Sequence, residues 1–142
     1  MRTRGGYSRY LGALLRRVIP PERTLHILTA DVGAGTQFVH GYATVVLAQR
    51  VGENCHIFQC VTVGDSPRIH GLPTIGDRVW IFPGAVVSGP ITIGDDAVIG
   101  ANSVVTCDVP AAEVWSGSPA QRIGSSADLL TLAAASALPQ AP

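Results

Sequence analysis

Four histidines, three cysteines and a few arginines carry most of the chemical potential of this 142-residue chain. Catalytic or structural zinc needs at least three side chains converging on one ion. The spacings of His26, His40, His56 and His70 bring no three of them to equivalent positions, and Cys55, Cys60 and Cys107 form no CxxC pair, so no metal is expected. Proton transfer remains, since imidazole is the side chain best suited to take a hydroxyl proton near neutral pH. His40 stands two residues after Phe38, and Gln59 two residues after Ile57. If Phe38 and Ile57 begin equivalent faces of successive coils, His40 and Gln59 point off the core and stack one strand spacing apart, about 5 Å. Gln59 then orients the imidazole, binds substrate or belongs to a polar ladder. A lone histidine is more often structural than catalytic, so its role depends on the elements that hold it.

Those elements follow from a period of six. Aliphatic residues recur at Ile75, Ile81, Val87, Ile93, Ile99 and Val105, and upstream at Val51, Ile57 and Val63, with Val32 and Phe38 continuing to Thr44 as a polar substitute. Four residues after each inward position comes a second, narrower one, at Thr36, Tyr42, Cys55, Val61, Val79, Ala85, Ile91, Ala97 and Ser103. Neither the 3.6-residue helical period nor simple two-residue alternation yields this spacing; three short strands per coil, each followed by a tight turn, do. Glycine or acidic residues after the aliphatic position, as in Val51-Gly52, Ile75-Gly76 and Ile93-Gly94, are read as supplying the turns. The register is interrupted by a seven-residue step from Thr44 to Val51 and by Gly64 to Thr74, which must bulge as a loop and which carries Arg68 and His70.

The expected organisation is an all-β parallel β-helix over residues 32–124, between an N-terminal helix and cap (1–31) and a C-terminal helix or tail (125–142). Tyr7 to Val18 form one apolar helical stripe ended by Pro20-Pro21, and Ser125-Ser126-Ala127-Asp128 read as a helix start. Net charge is zero and the chain has no lysine, so nothing asks for nucleic acid. No apolar run approaches the length that spans a bilayer, and an odd cysteine count suits a reducing cytoplasm.

The blocks FVHGYATVV (38–46), VGENCHIFQCVTVG (51–64), LPTIGDRVWIFPGAVV (72–87), ITIGDDAVIGANSVV (91–105) and SGSPAQRIG (116–124) make Val32 to Gly124 resemble the hexapeptide-repeat acyltransferases, in their serine acetyltransferase-like branch. The resemblance implies a left-handed coil and a homotrimer with acetyl-CoA in the groove between adjacent prisms. It implies transfer of acetyl from acetyl-CoA to a hydroxyl of serine or a related small acceptor, with His40 as general base. A sugar hydroxyl is the alternative acceptor, and a non-catalytic β-helix assembly module the alternative class. Gln59, Arg68 and His70 are the substrate-binding candidates. The cofactor candidates are the backbone around Gly84, Ala85 and Ala101, with Arg122 after Gly117-Ser118-Pro119-Ala120 meeting CoA phosphate.

The chain also departs from that branch. Leu25 takes the place of the aspartate that orients the histidine, leaving Asp31, a neighbouring subunit or a backbone carbonyl to do so. Val39 replaces the aspartate that helps bind the serine amino group. Leu72 replaces the loop histidine, and Phe82-Pro83 replace smaller residues before Gly84, with Pro83 lacking an N–H donor.

Overall fold

The computed structural model describes residues 24–129. The helix expected over Tyr7 to Val18 and the chain after Leu129 lie outside the described residues.

Strands this short cannot bury a core alone, and here they stack into three parallel ladders that form the faces of a prism. The first ladder joins β1 (Leu25–Ile27), β3 (Thr44–Val46), β6 (Thr62–Gly64), β9 (Val86–Ser88) and β12 (Val104–Val105). The second joins β4 (Arg50–Val51), β7 (Thr74–Ile75) and β10 (Thr92–Ile93), extended by single bridges from Val32 and Val109. The third joins β2 (Gln37–Phe38), β5 (His56–Ile57), β8 (Trp80–Ile81), β11 (Val98–Ile99) and β13 (Glu113–Gly117). It ends on β14 (Ala120–Ser125), which pairs with β13 antiparallel. The first rung is laid by Leu25–Ile27, upstream of Val32.

From Val51 onward the period of six predicts the core correctly, while Val32, Thr36 and Phe38 upstream are half-buried. Val51, Ile57, Val63, Ile75, Ile81, Val87, Ile93, Ile99 and Val105 are fully buried, and Cys55, Val61, Val79, Ala85, Ala97 and Ser103 fill the narrower positions with no exposure. Ladder partners repeat one residue type on the next, as in Ile57 with Ile81 and Ile81 with Ile99, so identical side chains stack at the strand spacing of about 4.8 Å.

The turns differ from expectation. The left-handed backbone falls two residues after the glycine, at Asn54 (φ 54°), Arg78 (φ 55°) and Asp96 (φ 59°). Gly52 is needed for a different reason: a Cβ there would stand 2.3 Å from the Gly76 carbonyl oxygen of the next coil. Neighbouring coils therefore approach backbone to backbone at this edge, and only glycine fits. The acidic residues beside these glycines hold the stack together. Asp77 accepts the Glu53 N–H at 2.9 Å, and Asp95 accepts the Asp77 N–H at 2.8 Å.

The insertion between Val63 and Ile75 does leave the prism as a loop, at the edge between the first and second ladders. At the far end Ser125 and Asp128 form a reciprocal cap, with their side chains 2.8 Å apart, and Ser126 to Leu129 take a helical conformation.

Candidate active site

The edge where the third ladder turns into the first carries His40. In later coils this turn has a fixed form: the Gly84 N–H donates to the Gln59 carbonyl at 3.2 Å and the Asn102 N–H to the Pro83 carbonyl at 2.9 Å. Cys60, Gly84 and Asn102 supply its left-handed residue, with φ of 60°, 73° and 55°. The first turn is longer. Phe38 pairs with Ile57 but Val46 pairs with Val63, so the chain spends two residues more between Phe38 and Val46 than between Ile57 and Val63.

Those two residues are His40 and Gly41. The Cys60 N–H donates to the carbonyl of Tyr42 at 3.0 Å, and Ala43 (φ 52°) is the left-handed residue. Tyr42 therefore occupies the rung of Gln59 and Pro83, and His40 is pushed out of the repeat. His40 is itself left-handed (φ 52°), a conformation uncommon outside glycine, and its carbonyl accepts the Tyr42 N–H in a tight turn.

Three expectations are corrected by this bulge. Gln59 stacks under Tyr42 and not under His40. Thr44 fills the narrower inward position, fully buried with its hydroxyl donating to the Phe58 carbonyl at 3.1 Å, while Val46 takes the aliphatic one. Tyr42, expected inside, is 48% exposed. The physical reason is that backbone pairing, not residue count, sets the rung.

His40 is exposed, and from the rung above the Thr24 hydroxyl reaches its turn, accepting the Ala43 N–H at 2.9 Å. Leu25 lies against Gly41, its Cδ2 3.1 Å from the point where a Gly41 Cβ would stand. Asp31 stands at another edge, between the first and second ladders, facing Arg50 at 3.7 Å. Gln59 is half-buried, and its Oε1 is buried without a hydrogen-bond donor.

The loop residues lie elsewhere in the protomer. Asp65 organises the loop by accepting the Ser66 and Gly71 N–H groups, each at 2.8 Å, with the His70 Nδ1 3.2 Å away. These contacts, the Gly71 N–H first, hold the Asp65 carboxyl below its usual range. Arg68 and His70 are exposed there, and Leu72, half-buried, leads into the buried Pro73. One prism thus holds His40 and Gln59 on one edge and Arg68 and His70 on another.

Among the cofactor candidates, the Gly84 and Ala85 N–H groups are engaged within the prism, at 3.2 Å to Gln59 and 3.3 Å to Phe82. Gly84 is tightly placed, since a Cβ would meet Asn102 Oδ1 at 2.2 Å. Ala101 is exposed one coil further on, on the same edge as His40. Arg122 is on β14, its Nε bound to Glu113 Oε1 at 2.9 Å while Glu113 Oε2 accepts the Trp115 indole N–H at 2.8 Å. This carboxylate fixes the stem of the guanidinium and leaves it more than half exposed. Among the described residues no group of three His, Cys, Asp or Glu could hold a metal ion.

Two features escape a reading by repeat alone. One is an aromatic ladder on the outer face of the third sheet, where His56 stacks on Trp80 at 4.2 Å and Phe58 on Phe82 at 5.2 Å. The tripeptides His56-Ile57-Phe58 and Trp80-Ile81-Phe82 were its signal. A groove of about 540 Å³ runs between this ladder and Leu129. The other is the charge pattern. Nine of the ten acidic residues are described, the tenth being Glu22, and none of the nine stands on the His40 edge. Residues 38–46, 57–63, 81–87 and 99–105 contain no Asp, Glu or Arg at all, and the chain has no lysine.

A bacterial transferase hexapeptide model of six repeats matches residues 73–107, the span from the loop's end through β12. The serine acetyltransferase of Mycobacterium tuberculosis is 44% identical over 100 residues, covering 68% of this chain and 44% of that protein. Soybean serine acetyltransferase apoenzyme superposes with a TM-score of 0.67 at 34% identity, over 82% of this chain and 50% of that one. Brucella abortus serine acetyltransferase in complex with coenzyme A superposes with a TM-score of 0.67 at 28% identity, over 84% and 48%. The chain spans about half the length of the relatives it matches.

Fold and repeat together define the class: this is a hexapeptide-repeat protein, a left-handed parallel β-helix. Within that class the chain belongs to the serine acetyltransferase-like branch.

Proposed function

We propose that the chain is an acetyl-CoA-dependent O-acetyltransferase with His40 as its general base. The observation that carries this reading is the His40 bulge: the repeat is broken by two residues at one turn, and the residue pushed out is the histidine of the FVHGYATVV block. What sets this turn apart is the break in the repeat, since left-handed residues occur at the regular turns as well.

In the reaction the acceptor hydroxyl oxygen bonds to the thioester carbonyl carbon as its proton passes to His40. Collapse of the tetrahedral adduct breaks the carbon–sulfur bond, and the imidazolium returns the proton to the departing thiolate. A rigid prism suits this chemistry because little reorganisation is needed once both reactants are aligned. Arg122, its stem held by Glu113, offers its free N–H groups to CoA phosphate, and the Gly84 to Ala101 stretch of the His40 edge flanks the pantetheine arm.

The active assembly is a homotrimer in the cytoplasm. Its support is that Arg68 and His70 sit on a different edge from His40, so a neighbouring prism is needed to bring loop and base together. The three described cysteines are free, and no described helix is long and apolar enough to cross a membrane. In domain terms, the coil from β1 (Leu25–Ile27) to β14 (Ala120–Ser125) forms the catalytic body. Thiol release from acetyl-CoA with a panel of hydroxyl acceptors tests the reading. Release that depends on both acceptor and His40 supports it; failure of acetyl-CoA to bind the full chain overturns it.

A further inference from the structure

A histidine base works through one ring nitrogen, and a hydrogen-bond acceptor at the other nitrogen fixes its tautomer and its aim. Among the described residues the His40 ring has no hydrogen-bond partner. Thr24 accepts the Ala43 N–H, Leu25 packs on Gly41, and the Gln59 Oε1 is buried on the rung under Tyr42. None of the described carboxylates stands on this edge. The second nitrogen therefore needs an acceptor from another prism, and the trimer proposed above brings the loop edge of a neighbour to it.

That loop presents an imidazole whose own tautomer is set. Asp65 Oδ1 accepts the Ser66 and Gly71 N–H groups, each at 2.8 Å, and Oδ2 stands 3.2 Å from His70 Nδ1. A carboxylate can only accept, so the hydrogen of the neutral His70 ring is on Nδ1 and the lone pair on Nε2. The side chain is 84% exposed, and Nε2 has no partner among the described residues of its own prism. Of the neighbouring side chains Arg68, Ile69 and His70, the histidine alone can accept a hydrogen bond.

We propose that His70 of one prism orients His40 of its neighbour. Asp65 holds His70 by Nδ1, His70 Nε2 accepts an N–H of His40, and the other His40 nitrogen faces the acceptor hydroxyl. This rests on the acetyltransferase and trimer readings above. When His40 takes the hydroxyl proton, its second N–H stays bonded to His70. His40 then returns the proton it took to sulfur as the carbon–sulfur bond breaks, so no proton passes to the loop. His70 and Asp65 are positioning residues, acting through His40.

The experiment measures thiol release by the full chain from acetyl-CoA with serine, glycerol or a methyl glycoside, beside acetyl-CoA titration and sedimentation of each variant. His70→Ala should lower kcat about 10–100-fold, the effect of a misaimed catalytic group, with acetyl-CoA affinity and oligomer mass unchanged. His70→Gln, whose Oε1 can accept the same hydrogen, should recover most of that loss. Trimers reassembled from equal amounts of His40→Ala and His70→Ala chains should turn over severalfold faster than the mean of the two unmixed variants. In them an intact His40 of one chain meets an intact His70 of another. Full kcat in His70→Ala, an equal loss in His70→Ala and His70→Gln, or mixed trimers no faster than the mean overturns the inference and leaves the acetyltransferase reading intact. Full turnover in His40→Ala overturns both. Where no acceptor is turned over, nitrogen-15 spectra of the histidine rings decide. One His40 tautomer in the unaltered chain and two in His70→Ala supports the inference; the same tautomer population in both overturns it.

Discussion

Leu25 lies against Gly41, an apolar side chain packed on the residue that follows the histidine at the open turn of the prism. The contact joins the first rung of the coil to the bulge that displaces His40, and Thr24 of the same edge accepts the Ala43 N–H at 2.9 Å. His40 itself is exposed on this edge, and its backbone there is left-handed.

His40→Ala should therefore lower kcat by about 10²–10⁴-fold, the usual contribution of a positioned base, with acetyl-CoA affinity almost unchanged. Arg122→Ala should do the reverse, weakening CoA binding with a smaller loss at saturation, because a remote phosphate contact acts equally on ground and transition states. Steady-state kinetics with direct CoA titration of both variants checks the pair. Full turnover in His40→Ala would remove the base.

The close approach of coils predicts a contrast between two glycines. A Cβ on Gly52 meets the Gly76 backbone at 2.3 Å, whereas one on Gly64 meets nothing within 4 Å. Gly52→Ala should cost about 1–3 kcal/mol, as overpacking does, and Gly64→Ala should stay within roughly 0.5 kcal/mol. Chemical denaturation of the two variants against the parent gives the comparison, and equal midpoints would contradict the backbone contact.

The Asp65 loop should respond to acid and not to base. Its carboxyl is held below the ordinary value of 3.8, so its contribution to loop order is complete above that pH and is lost as pH falls through the depressed folded value. Amide exchange at Ser66 and Gly71 should stay constant from neutral pH down to about 4, after allowance for intrinsic exchange, and protection should disappear below it. Asp65→Asn should be unprotected throughout; protection that persists in this variant would show that the carboxylate is not the organiser.

The separation of His40 from Arg68 and His70 on different edges calls for a second prism at the site, and the trimer proposed above supplies it. Sedimentation equilibrium at micromolar concentration should give three times the chain mass, and dilution to monomer should abolish turnover. An active monomer would show that the loop is not a partner of the base.

How much of this could be read from the chain alone differs between body and site. The inward series from Val51 to Val105 was legible because every sixth residue faces a core only one side chain wide, so burial writes itself into composition directly. His40 was singled out by the resemblance of its FVHGYATVV block and not by the period. The rung on which His40 sits was not legible. Two extra residues in a turn shift every later stacking partner without changing any residue type, and only the pairing of Val46 with Val63 and of Cys60 with the Tyr42 carbonyl decides that Tyr42, not His40, stands over Gln59. The turn formers were misplaced in the same way, because glycine answers both to a left-handed backbone and to a close neighbour, and which demand operates at Gly52 depends on a carbonyl from another coil. Local pattern specifies which residues face inward; hydrogen bonds between coils, which join residues far apart in sequence, decide which residues meet.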